Sequence, residues 1–189
     1  MADPLRRDRQ RLLHMLRELS FERRSVTLAS GRPSDFYIDC RRTALTAEGH
    51  YLIGRLLLEA IRRLAPDARA IGGMTLGADP LASAVSLTSY LAAQPLTAFI
   101  VRKEPKGHGT GKWIEGRALL VKDDKVAIVD DVVTSGGSTL QAITRVREDG
   151  LEPIAAFALV DRCEGGAEAV EAQGVKFHAL YDRSDFMGK

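Results

Sequence analysis

Two adjacent acids, Asp130 and Asp131, close the apolar run Val126-Ala-Ile-Val129. Val132 and Val133 follow, then Thr134-Ser-Gly-Gly-Ser-Thr139. An apolar run that does not alternate predicts a strand buried on both faces. Thr134 to Thr139 reads as a tight loop, in which Gly136 and Gly137 can take positive φ and let the backbone approach a ligand. Leu140, Ile143 and Val146 then recur at helical spacing. A helix N-terminus behind such a loop carries unpaired N–H groups and partial positive charge, which suits a phosphate. Hydroxyls and N–H groups can surround one phosphate without a charged side chain. No lysine follows the glycines, so this is not a Walker A loop. An ordinary strand-to-helix turn capped by its own hydroxyls would have the same composition.

The acid pair needs partners. Adjacent strand residues point to opposite faces, so both acids reach one ligand only if the chain is already leaving the strand. Two carboxylates at the end of an apolar strand are costly to bury unpaired. Hydroxyls, N–H groups or a metal must meet them. The vicinal diol of a ribose fits, and Mg2+ favours carboxylate, water and phosphate oxygens. The plainer alternative is an acid pair that caps the next loop. The doublet followed by the phosphate-like loop favours a sugar phosphate.

A third feature is the stretch from Arg102 to Arg117. It holds Gly107, Gly109, Gly111 and Gly116, and its basic residues Arg102, Lys103, Lys106, Lys112 and Arg117 outnumber Glu104 and Glu115. Periodicity is lost there, and a structureless loop longer than about 12–15 residues in a compact domain is a functional lid or a disordered segment. Cations on a lid can stabilise a departing polyanion and exclude water from a reactive sugar cation. His14, His50 and His178 sit in regular patterns and read as structural.

The surrounding elements place these features together. Asp3 to Leu19 predicts a helix with one leucine face and a basic opposite face. Val26 to Leu28 and Phe36 to Ile38 read as short strands joined by turn chemistry, a candidate hairpin. The aromatics Phe36 and Tyr37 can stack on a planar ring or simply fill core. Thr46 predicts an N-cap for a helix running to Leu64, ended by Pro66. Ala68 to Met74 predicts a strand, followed by a loop over Thr75 to Ala78. A helix with Asp79 as N-cap and Pro80 at its first position runs from there to about Ala93. Leu96 to Val101, Pro153 to Val160 and Val175 to Tyr181 are further strands, with a short helix to about Gln173 and Gly150 as a helix C-cap. Strands alternating with helices predict an α/β fold on a parallel sheet, with ligands beyond the carboxyl ends of its strands. The loop after Met74, the basic stretch, the acid pair and Asp161-Arg162 then share one edge.

At 189 residues, with 45% apolar and 28% charged residues, the chain predicts one domain with a substantial core. A formal net charge of +2 argues against nucleic acid or an anionic membrane as partner. The N-terminus lacks an apolar leader, no apolar run reaches the ~20 residues of a membrane helix, and Cys40 and Cys163 have no metal-like spacing. A cytoplasmic protein with reduced thiols is expected.

Val129-Asp-Asp-Val-Val-Thr-Ser-Gly-Gly-Ser-Thr139 resembles the phosphoribosyl-pyrophosphate motif of the type I phosphoribosyltransferases. Val101-Arg-Lys-Glu-Pro-Lys-Gly-His-Gly-Thr-Gly111 is similar to the mobile catalytic loop of the orotate-specific branch, as are Leu28-Ala-Ser-Gly-Arg32 before Phe36-Tyr37, and Asp161-Arg162. The resemblance covers nearly the whole chain. It implies an α/β type I phosphoribosyltransferase fold, a central parallel sheet flanked by helices with a small N-terminal hood. Residues 1–189 would form a single domain, 1–45 contributing the hood and 102–117 the mobile loop.

The implied reaction joins orotate and phosphoribosyl pyrophosphate into orotidine 5′-monophosphate and pyrophosphate, in pyrimidine synthesis, with Mg2+ held through the substrate and water rather than directly by protein. By the same resemblance Lys103, Lys106, His108, Asp130 and Asp131 are catalytic. Phosphoribosyl pyrophosphate is bound by these residues with Arg102, Val132, Val133, Thr134, Ser135, Gly136, Gly137, Ser138 and Thr139. Orotate meets Thr134, Arg162, Phe36 and Tyr37. A homodimer is implied, the 102–117 loop being shared across the interface. Many relatives carry lysine where this chain has Ala29 and Gly77. Two other readings stay open: a phosphoribosyltransferase for another base, and a non-catalytic regulator that senses phosphoribosyl pyrophosphate.

Overall fold

The computed structural model describes residues 4–24, 26–27, 33–105 and 113–187. Helix α1 (Pro4–Met15) ends in a π-helical turn over Leu16–Ser20 rather than continuing as the leucine spacing predicts. Four two-residue strands follow: β1 (Phe21–Glu22), β2 (Val26–Thr27), β3 (Pro33–Ser34) and β4 (Tyr37–Ile38). The expected hairpin is rearranged. β2 pairs with β3, whereas β4 pairs antiparallel with β1. A short turn, α2 (Arg41–Ala44), leads to α3 (Ala47–Leu64). Thr46 caps α3 as expected, its Oγ1 accepting from the Gly49 N–H at 3.0 Å, an interaction worth about 1 kcal/mol.

The remaining elements are β5 (Ala70–Met74), α4 (Ala78–Leu91), β6 (Thr97–Val101), β7 (Ile114–Glu115), β8 (Lys125–Val133), α5 (Gly137–Glu148), β9 (Glu152–Asp161), α6 (Gly166–Glu171), β10 (Lys176–Asp182) and α7 (Ser184–Met187). Asp79 is not the N-cap of α4. It lies in the first turn, and its carboxylate accepts from Thr75 Oγ1 at 2.7 Å. The basic stretch is not structureless at its far end, because β7 returns antiparallel along β6. Helix α5 also starts earlier than predicted, so Gly137, Ser138 and Thr139 belong to its first turn. Gly150, with φ +77°, follows α5 as its predicted terminator.

Six strands form the main sheet in the order β10-β9-β8-β5-β6-β7. The first five are mutually parallel. One core cluster packs α1, α3 and α4 on one face, with Ala127 and Val129 of β8. A second packs α5 on the other face, with Val126 and Ile128. This is the two-sided burial expected of apolar parallel strands. The chain leaves β5 toward β6 and leaves β8 toward β9, on opposite sides of the β5–β8 seam. A sheet whose order reverses at such a seam opens a crevice beyond its strand ends.

Candidate active site

The β5–β8 ladder stops at the Gly72–Ile128 pair, while β8 continues to Val133. Gly73 still lies against the Val129 carbonyl, and the paired ladder goes no further. A cavity of about 400 Å³ lies there, lined by the β5–α4 turn (Met74, Thr75, Leu76, Gly77), by Asp130, Asp131 and Val132 of β8, and by Ser138 of α5. Lys103 also lines it, as do Tyr37, Ile38, Asp39 and Arg41 of the hood.

Strand alternation sends the two acids to opposite faces. Asp130 continues the Val126–Ile128 side toward α5. Its Oδ2 accepts from Thr139 Oγ1 at 2.8 Å and its Oδ1 from the Asp131 N–H at 3.0 Å. Asp131 continues the Ala127–Val129 side. Its Oδ1 accepts from the Val132 N–H at 2.9 Å. A Cβ built on Gly77 would stand 2.8 Å from Cγ of Asp131, so glycine lets this turn lie against the carboxylate where it now stands. The expectation that the chain must leave the strand for both acids to serve one ligand is therefore corrected. Both are still within β8, and the open seam beside the strand brings both to one cavity.

Their environment is tense. Burial and the neighbouring Asp131 carboxylate push Asp130 up to about 7. Burial also raises Asp131, although the Val132 N–H and the Arg41 charge pull it down. Two crowded acids, Asp130 buried and Asp131 half-buried, hold a proton readily, and a cation arriving beside them would displace it.

The other expected residues divide. Lys103, Val132, Ser138 and Tyr37 line the cavity. Thr139 faces inward to Asp130, and Val133 is buried, its carbonyl accepting from the Arg162 N–H at 2.9 Å. Thr134, Ser135, Gly136 and Gly137 do not line the cavity; they lead into α5, with Gly136 in the left-handed region at φ +81°.

Arg102 does not line the cavity. It donates to Glu115 across the β6–β7 pair at 3.0 Å and to the Glu104 carbonyl at 3.2 Å. Arg162 is buried, ion-paired to Glu164 at 3.0 Å and 5.4 Å from the Phe36 ring centre. Phe36 is core, packed with Phe21 and Phe186. Neither Phe36 nor Arg162 lines the cavity. Lys106, His108 and Ala29 lie outside the described residues.

Asp39 and Arg41 were missed. Nothing in the periodicity marks them, because they sit between a two-residue strand and a one-turn helix. The available signal was local: charged residues directly after an aromatic pair already suspected of facing a ligand.

No protein-family model matches the chain. Named relatives do. The chain is 52% identical over 180 residues to orotate phosphoribosyltransferase of Sorangium cellulosum, covering 95% of this chain and 93% of that one. It is 41% identical to the enzyme of Aquifex aeolicus, covering 95% and 98%. The chain belongs to the orotate phosphoribosyltransferase family. Solved structures agree with this assignment. That of Mycobacterium tuberculosis H37Rv orotate phosphoribosyltransferase with Fe(III) dicitrate superposes with a TM-score of 0.82 at 39% identity, covering 96% and 99%. The same enzyme with phosphoribosyl pyrophosphate gives 0.78 at 37%, covering 95% and 98%. The predicted type I phosphoribosyltransferase fold is thereby established, with the antiparallel β7 added at its edge.

Proposed function

We propose that the cavity at the β5–β8 seam is where this orotate phosphoribosyltransferase works. The enzyme transfers the 5-phosphoribosyl group of phosphoribosyl pyrophosphate to orotate. The bond from C1′ to the pyrophosphate oxygen breaks, its electron pair leaves with pyrophosphate, and a ring nitrogen of orotate bonds to C1′ as its N–H proton passes to water or the departing pyrophosphate. The observation that carries the assignment of the site is the convergence of Asp130, Asp131 and Lys103 on one cavity in a chain of this family.

On this reading Asp130 and Asp131 hold the ribose hydroxyls and favour positive charge as it develops on the sugar. Residues 134–139 receive the 5′-phosphate at the α5 N-terminus. Lys103, with Lys106 and His108, meets the pyrophosphate. Tyr37 covers the base from the hood, and Arg162 is the partner assigned to the orotate carboxylate. Mg2+ fits this set. It would be held by pyrophosphate and ribose oxygens and by water, with the acid pair acting on it only through the ribose hydroxyls and water. When bound it would neutralise charge on the pyrophosphate. The residues themselves orient the sugar and shield it from water.

Residues 1–189 are read as one domain, with 1–45 as hood and 102–117 as lid. A homodimer sharing that lid belongs to the same proposal. It is supported by a groove of about 830 Å³ between α3 and α4, where Leu45, Tyr51, Leu87 and Leu91 are exposed, since such patches mark association surfaces. A cytoplasmic setting suits two free cysteines. No described helix is long and apolar enough to cross a membrane.

The test is the fall in orotate absorbance with phosphoribosyl pyrophosphate and Mg2+, run beside hypoxanthine and adenine. Turnover of orotate alone is expected. Turnover of a purine without orotate, or binding without product, would refute the reading.

A further inference from the structure

The cavity has a charge problem. Its described lining carries three carboxylates, Asp39, Asp130 and Asp131, and two cations, Arg41 and Lys103. A substrate bearing a pyrophosphate must enter among these acids. Lys103 lies on the basic stretch after β6, whereas Arg41 begins α2 on the hood. Gly77, at the turn facing Asp131, supplies no side chain, and one placed there would have to displace the Asp131 carboxylate.

Arg41 is built into place. Its Nε donates to Asp39 Oδ1 at 2.8 Å and its Nη2 to Asp39 Oδ2 at 3.1 Å. The Arg41 backbone N–H also donates to Asp39 Oδ1, at 3.2 Å. A two-pronged carboxylate contact fixes the plane of a guanidinium. A guanidinium has five N–H donors, so this contact leaves donors for an oxyanion. An exposed ion pair contributes little to folding, and half of the Arg41 side chain is exposed. Its fixed geometry therefore has little stabilising purpose. Arg41 also acts on the far wall, where its charge opposes the burial that raises Asp131.

We propose that Arg41, oriented by Asp39, is a substrate-binding residue that reaches from the hood to the pyrophosphate-bearing end of the substrate, in the cavity that Lys103 also lines. This rests on the cavity being the phosphoribosyl pyrophosphate site. The arrangement makes the hood an electrostatic half of that site as well as a cover for the base. Arg41 would pair with phosphate oxygens once the substrate enters, with Asp39 holding it from behind.

Steady-state kinetics of Arg41→Gln and Arg41→Lys test this, with pyrophosphate as product inhibitor at fixed Mg2+. The glutamine variant is expected to raise both KM for phosphoribosyl pyrophosphate and the inhibition constant of pyrophosphate about tenfold, with KM for orotate within about twofold of wild type. Lysine restores charge without the fork, so it should recover part of the loss. The melting temperature should stay at the wild-type value. Unchanged constants for both pyrophosphate ligands would overturn the proposal. So would a parallel rise in KM for orotate with a lower melting temperature, which would mark Arg41 as structural support for the hood. Wild-type enzyme that ignores pyrophosphate would overturn the placement of the site itself, and Arg41 with it.

Discussion

The two walls of the cavity are made in different ways. The sheet wall is the end of a long strand that is buried except at its start and at Asp131 and Val132. Asp130 and Asp131 are fixed there by the alternation of β8, by Thr139 and by two backbone N–H groups. The hood wall is a two-residue strand and a single helical turn. Tyr37 and Arg41 are held there by local contacts, Arg24 over the Tyr37 ring at 3.9 Å and Asp39 against Arg41. The difference suggests a division of labour. Rigid elements hold groups more precisely than loops do, so the sheet wall suits the reacting sugar and the hood wall suits substrate capture.

The sharpest way to break that comparison is to remove charge from each side of the chemistry. Asp131→Asn and Lys103→Ala are each expected to lower kcat about a hundredfold or more, with unchanged circular dichroism. Near wild-type turnover at saturating substrate in either variant would remove that residue from the mechanism.

Gly77→Ala asks whether Asp131 must stand where it does. Gly77 already has right-handed helical angles, φ −61° and ψ −42°, so alanine imposes no backbone strain. The added methyl meets the Asp131 carboxylate. A misplaced reacting group can cost as much as a hundredfold, and a loss of kcat of about tenfold is expected here. Full activity would mean that the position of Asp131 is not critical.

A smaller effect should appear in stability. The folded-state pKa of Asp130 is raised to about 7, so the native state binds this proton more tightly than the unfolded chain does. The resulting stability is present below the ordinary carboxylate range and is lost as pH rises through about 7. Wild-type melting temperature, without Mg2+ or substrate, should fall across that window. Asp130→Asn should flatten the profile and be more stable by roughly 1–3 kcal/mol at pH 8. Parallel profiles for the two proteins would show that Asp130 is not the titrating group.

The same contrast explains what could be read from the sequence. The apolar run of β8, the acid pair and the glycine turn are contiguous, so local pattern was enough to find them. Helix α3 was equally plain, since Thr46 and Pro66 bracket its apolar stripe. The hood was not legible, because strands of two residues carry no period. Which of them pair depends on tertiary packing, here the Phe21, Phe36 and Phe186 cluster. That cluster makes Phe36 core and leaves Tyr37 at the cavity. The basic stretch pointed to Arg102 and the resemblance to Arg162; without substrate they are paired with Glu115 and Glu164.

A crystal structure of the protein with phosphoribosyl pyrophosphate and Mg2+ tests the central claim most directly. The account predicts the ribose hydroxyls on Asp130 and Asp131, the 5′-phosphate at residues 134–139, and the pyrophosphate between the Thr75–Gly77 turn, Lys103 and the hood. A sugar ring bound away from the acid pair, or pyrophosphate seated at residues 134–139, would contradict it.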